Sequence, residues 1–348
     1  MDTAEFWRGR RVLVTGHTGF KGSWLSTWLV QMGSKVSGVA LDPHTDPAMF
    51  NLLGLAEHVD SHIADIRDAA ALQKVVQACQ PEIIIHMAAQ ALVRESYTDP
   101  VGTFMTNVMG TAHLLEAARG AKNLGAVVVV TSDKCYENRE WVWGYRESDA
   151  MGGRDPYSAS KGCAELVTAS YRQSFGEDIS IASARAGNVI GGGDWSEDRL
   201  IPDMVRAIES NEVVQIRNPA AIRPWQHVME PLAGYLLLAE HLFTSGSQYA
   251  SAWNFGPAVE DTQPVSALVE RLSQNFDSLE WQIDKGEHPH EAHFLKLDIS
   301  KAVSDLGYQP RVSLDTALDW TARWYQAYFD GQDMLDVTQR QIDDFSRG

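Results

Sequence analysis

Short β-branched runs alternate with amphipathic stretches through the first half of the chain. Arg11–Thr15 (RVLVT), Lys35–Leu41 (KVSGVAL), Val59–Ile63, Glu82–His86 (EIIIH), Ala126–Thr131 (AVVVVT) and Ile179–Ala184 (ISIASA) have the length and residue types of strands. Between them, Gly22–Met32, Asp68–Cys79, Thr106–Arg119 and Pro156–Phe175 read as helices. Strands that alternate with helices predict βαβ units, hence a Rossmann-type doubly wound parallel sheet of the α/β class. EIIIH and AVVVV are apolar almost throughout rather than alternating, as expected of strands covered on both faces.

After about residue 186 the pattern loosens, and isolated prolines and Gly191-Gly192-Gly193-Asp194 interrupt shorter elements. The predicted division is a larger domain over 1–186, to which 223–257 returns through a helix (Pro231–Phe243) and a short strand (Trp253–Phe255). Residues 187–222 and 258–348 then form a smaller mixed α/β domain that holds the substrate, and the polar tail after Asp330 is expected to pack loosely.

At 348 residues the chain is long enough for two closely packed domains, and 44% hydrophobic with 22% charged residues is an ordinary globular composition. The net charge of −17 argues against a nucleic-acid surface, which needs a basic patch, so an anionic substrate would have to be gripped by local arginines. Cys79, Cys135 and Cys163 have no metal or redox spacing, and such a sparse set suits a reducing cytosol. Met1–Arg10 lacks the apolar core of a signal peptide, and runs such as Ala126–Val130 are only strand-length. A cytoplasmic protein with neither membrane nor nucleic-acid partner is therefore expected.

The first strand runs into VLVTGHTGFKG, with Gly16, Gly19 and Gly22 between strand and helix. Gly16 allows the tight turn, Gly19 lets backbone approach a pyrophosphate, and Gly22 allows the helix to pack closely on the strand. The helix N-terminus then offers free N–H groups to the phosphates. The second strand ends at Leu41-Asp42, where a carboxylate accepts from ribose hydroxyls and would repel a 2′-phosphate; no arginine follows over 43–46. The cofactor predicted is NAD rather than NADP.

Tyr157 and Lys161, in DPYSASK near the start of a helix, stand four residues apart and so share one face. An ammonium beside a phenol favours the phenolate, which could then take a hydroxyl proton near neutrality. Ser132, Asp133 and Lys134 follow the fifth strand, and ligands of doubly wound sheets sit beyond the carboxyl ends of the strands. Arg185, Arg199, Arg217 and Arg223 cluster in the second half, where guanidinium forks suit a diphosphate.

TGHTGFKG, DIRD (Asp65–Asp68), HMAAQ (His86–Gln90), NVMG (Asn107–Gly110), TSDK and YSASK together resemble the extended short-chain dehydrogenase/reductase superfamily over nearly the whole chain. SDKCYENREWVWGYRE, RAGNVIGGGDW, RPWQHV and HPHEAH are longer and more specific, and they resemble the CDP-glucose branch of its nucleotide-sugar 4,6-dehydratases. The resemblance implies cofactor contacts from the loop residues Gly16, His17, Thr18, Gly19, Phe20, Lys21 and Gly22. It adds Asp42, the adenine-holding pair Asp65 and Ile66, then Ala88, Ala89 and Asn107, with Tyr157 and Lys161 serving cofactor and catalysis alike. Arg223 matches the arginine that grips the diphosphate in relatives, and Asn188 a residue whose amide meets the same phosphates; Arg94 joins this set.

The same likeness implies a reaction in which C4 is oxidised, the C5 proton and C6 hydroxyl are eliminated, and hydride returns to C6. Expelling hydroxide needs an acid. Asp133 stands where the 4,6-dehydratases carry one, whereas the epimerases usually have a non-acidic residue. The dTDP-glucose and GDP-mannose enzymes carry glutamate as the C5 base where this chain has Lys134. A lysine can replace it only if desolvation or nearby cations lower its pKa, so Lys134 is either the base or the group that stabilises the enolate. Ser132 is expected to bond the C4 oxygen alongside Tyr157.

His288, His290 and His293 do not converge on one ion from a helix, and Pro289 opposes a helix there. The string aligns instead with a substrate loop, His288 standing where relatives carry an arginine, so no metal is expected. Two other readings stay open: a nucleotide-sugar 4-epimerase, disfavoured by Asp133, and a non-catalytic NAD-binding sensor, which would have little need of Tyr157, Lys161 and Asp133 together. The superfamily commonly dimerises through helices matching Asn107–Arg119 and Tyr157–Phe175, which implies a homodimer.

Overall fold

The computed structural model describes residues 3–177, 179–258, 262–276, 279–284, 286 and 295–347. Seven strands form one sheet: β1 (Arg11–Thr15), β2 (Lys35–Ala40), β3 (Asp60–Ile63), β4 (Ile83–His86), β5 (Ala126–Val130), β6 (Ser180–Ala186) and β7 (Ala252–Phe255). Their order is β7-β6-β5-β4-β1-β2-β3, and every pairing is parallel. The order reverses between β1 and β4, which opens a crevice at their carboxyl ends.

Side-chain alternation sorts the core onto two faces. Val12, Val14, Ala126, Val128 and Val130 join the larger cluster with Trp24, Leu232 and Trp324, while Leu13, Val127 and Val129 join Leu72, Leu114 and Leu115 on the other face. Buried on both sides, β4 and β5 have no polar face, which accounts for their uniform apolarity.

Helix boundaries follow local chemistry. Asp68 caps Ala69–Cys79 by accepting from the N–H groups of Ala70 and Ala71 at 3.0 Å each. Asp155 caps Pro156–Phe175 through the N–H of Ser158 at 2.8 Å, with Pro156 at the first position. The helix read from Thr106 begins earlier, at Pro100, and passes through a π-helical turn at Met105–Met109 before Gly110–Arg119.

Three two-stranded pieces lie beyond the main sheet: Val189–Ile190 with Gln226–His227, Ile222–Pro224 with Thr262–Pro264, and Val214–Ile216 with Trp281–Ile283. The tail does not pack loosely. Met334–Arg347 is a helix whose Met334, Thr338, Ile342 and Phe345 are buried at helical spacing. Phe345 meets Trp28 of Phe20–Gln31 edge to face at 5.6 Å, and the Thr338 hydroxyl accepts from the Trp324 indole N–H at 2.9 Å. The high polar content of the segment hid a narrow apolar stripe.

Candidate active site

At the switch point the carboxyl ends of β1 and β4 are joined by one hydroxyl. Thr15 Oγ1 accepts from the N–H groups of Met87 and Ala88, each at 3.0 Å, so its own proton goes to His86 Nδ1 at 2.6 Å. His86 Nε2 therefore carries the ring proton and donates to Thr111 Oγ1 at 3.2 Å. Burial pushes the His86 pKa down to about 3, which agrees with this neutral tautomer. The bonds hold the Met87–Ala88 backbone against the glycine loop.

That loop leaves no room for side chains. Gly16 has φ +77°, and a Cβ there would lie 2.9 Å from the Ala88 nitrogen; on Gly22 it would lie 2.0 Å from the Gly16 carbonyl oxygen. Phe20–Gln31 begins at Gly19 with no side-chain cap, leaving its first N–H groups for a ligand. The Thr18 hydroxyl donates to the Leu41 carbonyl at 2.8 Å, which ties the loop to the end of β2 beside Asp42. The backbone fits a dinucleotide pyrophosphate.

One cleft of about 1450 Å³ runs from this loop across the carboxyl ends of the strands. Gly16, Thr18, Gly19, Phe20, Lys21, Gly22, Asp42, Asp65, Ile66, Ala88 and Ala89 line it, and so do Ser132, Asp133, Lys134, Tyr157, Lys161 and Asn188. Arg94, Arg199 and Arg217 line it too, but each is counter-charged: Arg94 and Arg217 meet Asp198 at 3.0 and 3.2 Å, and Arg199 meets Asp194 at 3.0 Å. Asp65 is paired with Arg67 at 2.6 Å, and that hydrogen bond holds its carboxyl below the usual range.

Three expected contacts lie elsewhere. His17 is fully buried, bonds the Ser61 hydroxyl at 2.7 Å and packs under Gly38, where a Cβ would meet its ring at 2.2 Å. The loop backbone continues past the cleft, but the ring turns into the protein beneath β2. Asn107 stands behind the wall, donating to the Gln90 carbonyl at 3.0 Å and the Ser160 hydroxyl at 2.8 Å while accepting from the Gln90 N–H at 2.9 Å. It braces the loop after β4 against the helix of Tyr157. Arg185 is 3% exposed, does not line the cleft, and pairs with Glu165 at 2.7 Å inside the protein. The side chain of Arg223 and all of His288 lie outside the described residues.

At the catalytic end, Ser132 Oγ donates to Asp133 Oδ1 at 2.8 Å and also hydrogen-bonds the Tyr157 phenol. Asp133 is 1% exposed, and its Oδ2 has no hydrogen-bond partner among the described residues. A Cβ on Gly187 would come within 3.2 Å of that oxygen, so glycine keeps the space before it open. Lys134 Nζ reaches Asp133 Oδ1 at 3.5 Å and Asn188 Oδ1 at 3.4 Å.

Burial pushes Tyr157 up to about 12, outweighing the Ser132 hydrogen bond and the charge of Arg199. Burial lowers Lys161 to about 8, and its ammonium donates to the Val130 carbonyl at 3.5 Å. The predicted pairing thus exists as two neighbours on one helix face, but desolvation, not Lys161, dominates the phenol's acidity in this structure. Lys21 is brought down to about 7, first by burial and then by Arg199 and Lys161; its ammonium lies 5.8 Å from the Tyr235 ring centroid. Eight cations, Lys21, Lys134, Lys161, Arg67, Arg94, Arg154, Arg199 and Arg217, thus concentrate in the cleft of a chain of net charge −17.

The sequence reading missed Arg154, a cleft residue two positions before Pro156, for which no motif offered a signal. It also missed Glu165, although the spacing Tyr157, Lys161, Glu165 places all three on one helix face. Outside the cleft, on the edge strand β3, Asp60, His62 and the nearby Cys79 bring three donor atoms within 4.8 Å of one another.

The model of the family described as GDP-mannose 4,6 dehydratase matches residues 13–321. A protein of Salmonella typhimurium strain LT2, CDP-glucose 4,6-dehydratase, is 53% identical over 353 aligned positions, covering 99% of this chain and 98% of its own length. Among solved structures, a dTDP-glucose 4,6-dehydratase from Streptomyces venezuelae with NAD bound superposes with TM-score 0.78 at 25% identity, covering 93% of this chain and 99% of its own. A UDP-glucose 4-epimerase from Brucella ovis in complex with NAD gives TM-score 0.78 at 25% identity, over 91% of this chain and 98% of its own.

Proposed function

The chain belongs to the GDP-mannose 4,6-dehydratase family of the extended short-chain dehydrogenases/reductases, and on that premise we propose that it converts CDP-D-glucose to CDP-4-keto-6-deoxy-D-glucose and water. The observation that carries dehydration rather than epimerisation is Asp133. A buried carboxyl with an unpartnered oxygen stands in the same cleft wall as Tyr157, and a 4-epimerase has no leaving group for such an acid to protonate. The choice of CDP-glucose is supported by the 53% identity to the Salmonella enzyme.

Gly16, Gly19 and the N-terminus of Phe20–Gln31 would hold the pyrophosphate of NAD, Asp42 the adenosine ribose, and Asp65 with Ile66 the adenine. When bound, NAD would supply hydride acceptance and return for the sugar, and its oxidised nicotinamide ring would place a local positive charge near Tyr157. A positive charge there would favour the phenolate and oppose the burial that raises Tyr157 to about 12. Tyr157 then takes the C4 hydroxyl proton, with Ser132 steadying the same oxygen. Asp133 gives a proton from Oδ2 to the departing C6 hydroxyl. Lys134, beside both Asp133 and Asn188, either takes the C5 proton or stabilises the enolate that its loss leaves. Asn188, Arg199, Arg217 and Arg94 meet the diphosphate, whose charge competes with Asp194 and Asp198 for the guanidinium groups; Arg223 joins this set, and His288 belongs to the substrate site.

Incubation with CDP-glucose, UDP-glucose, dTDP-glucose and GDP-mannose, followed by the alkaline absorbance of 4-keto sugars, is expected to give product from CDP-glucose without stoichiometric build-up of reduced cofactor. Recovery of a 4-epimer with no keto sugar would establish the epimerase instead. NAD binding with no sugar-nucleotide binding would leave only the sensor.

No helix among the described residues is long and apolar enough to cross a membrane, and the three cysteines are free, which supports a cytoplasmic enzyme. Val101, Phe104, Met105 and Met109 leave an apolar strip exposed on the helices between Pro100 and Arg119, and Leu166 is 61% exposed on Pro156–Phe175. A second copy covering these helices would bury that strip, which supports a homodimer. A monomer in sedimentation at micromolar concentration would refute this.

A further inference from the structure

Beneath the catalytic turn lies a buried polar chain that the mechanism above does not use. Tyr157, Lys161 and Glu165 follow one another at successive turns of Pro156–Phe175, and all three are buried. Glu165 Oε1 accepts from the Thr131 hydroxyl at 2.5 Å, while Oε2 accepts from Ser183 and from Arg185 Nη2, each at 2.7 Å. Arg185 Nη1 donates to the Tyr136 hydroxyl at 2.7 Å, and Tyr136 donates to Asn254 Oδ1 at 2.7 Å. Asn254 Nδ2 in turn donates to the carbonyls of Tyr145 and Asp298 at 2.8 and 3.1 Å.

One end of this chain matters to the reaction. Thr131 immediately precedes Ser132 and Asp133, and Asp298 is ion-paired with Arg146 at 3.1 Å beside Tyr145. A buried ion pair is a poor source of stability, because desolvation offsets most of its attraction and apolar replacements are often neutral. What it secures is direction: a carboxylate that accepts one bond from the turn after β5 and two from β6 leaves each donor one position.

We propose that Glu165, locked by Arg185, is a positioning residue that fixes Thr131 and thereby the aim of Ser132 and Asp133, and that Arg185 links this turn through Tyr136 and Asn254 to the backbone at Tyr145 and Asp298. The proposal rests on the dehydratase reading for its activity readouts. Its negative charge has a second effect, because it is the main group opposing the fall of the Lys161 pKa below its ordinary value.

Three variants test it. Glu165→Gln is expected to lower kcat about 10–100-fold with KM for CDP-glucose changed less than about threefold, the pattern of lost aim rather than lost binding. Removing the carboxylate also removes the charge that keeps Lys161 protonated, so the alkaline limb of the pH–rate profile moves to lower pH. Glu165→Asp restores the charge but not the reach, and is expected to restore the limb without restoring kcat. Thr131→Val leaves no buried charge uncompensated and therefore folds even if Glu165→Gln does not; it is expected to lower kcat about fivefold at unchanged KM.

The Lys161 titration, followed by nitrogen NMR of its ammonium, reads the charge effect whatever the sugar substrate is. Failure of the unaltered enzyme to form a keto sugar would overturn the dehydratase reading but not this shift. A Lys161 titration unmoved in Glu165→Gln, or full kcat in Thr131→Val, would overturn the positioning role.

Discussion

Replacing Tyr157 by phenylalanine is expected to lower turnover of CDP-glucose about 10³-fold, within the range for loss of a general acid–base group. The ring is 8% exposed and its body packs within the wall of the cleft, so phenylalanine keeps the shape and loses only the hydroxyl. Ser132 then retains its bond to Asp133 Oδ1 but has lost its partner at the C4 oxygen. Binding of NAD and CDP-glucose should change less than about threefold, because the missing interaction is made in the transition state. Steady-state rates and cofactor titration check both halves. Turnover within tenfold of the unaltered enzyme would remove Tyr157 from the chemistry.

Replacing Asp133 by asparagine is expected to lower keto-sugar formation about 10²–10³-fold while leaving the earlier steps running. Asparagine matches the volume and can still accept from Ser132, but it cannot deliver a proton from the position of Oδ2. The C6 hydroxyl then stays, although C4 oxidation and C5 proton loss continue. In deuterated water the recovered CDP-glucose should therefore gain deuterium at C5 with little product. Lys134→Met gives the contrasting result: cofactor binding intact, and neither product nor C5 exchange. Deuterium at C5 in Lys134→Met would reassign the base, and full product from Asp133→Asn would reassign the acid.

Much of this was legible in one dimension because the relevant physics is local. A glycine that must admit backbone within 3 Å, a strand with no polar face, and a tyrosine four residues from a lysine are visible as spacing. The side chains that turn away from the cleft share a cause. His17, Asn107 and Arg185 lie on segments that border the cleft, and motif spacing places such backbone correctly. Which way a side chain leaves that backbone depends on neighbours far along the chain: Gly38 and Ser61 for His17, Gln90 and Ser160 for Asn107, Glu165 and Tyr136 for Arg185. The terminal helix was misread for a related reason, since its buried stripe becomes meaningful only opposite Trp28 and Trp324.

By itself, then, the sequence determined the parallel sheet, the NAD loop and which residues with exchangeable protons follow β5 and begin the helix of Tyr157. Each follows from residue type and period, which survive without knowledge of any distant contact. The tertiary structure decided how those groups are tuned. It buried Tyr157 and raised it to about 12, buried Lys161 and lowered it to about 8, left one oxygen of Asp133 unpartnered, and turned Arg185 from the substrate to Glu165. Desolvation and hydrogen-bond geometry are properties of the space around a side chain, and that space exists only once remote segments have packed together.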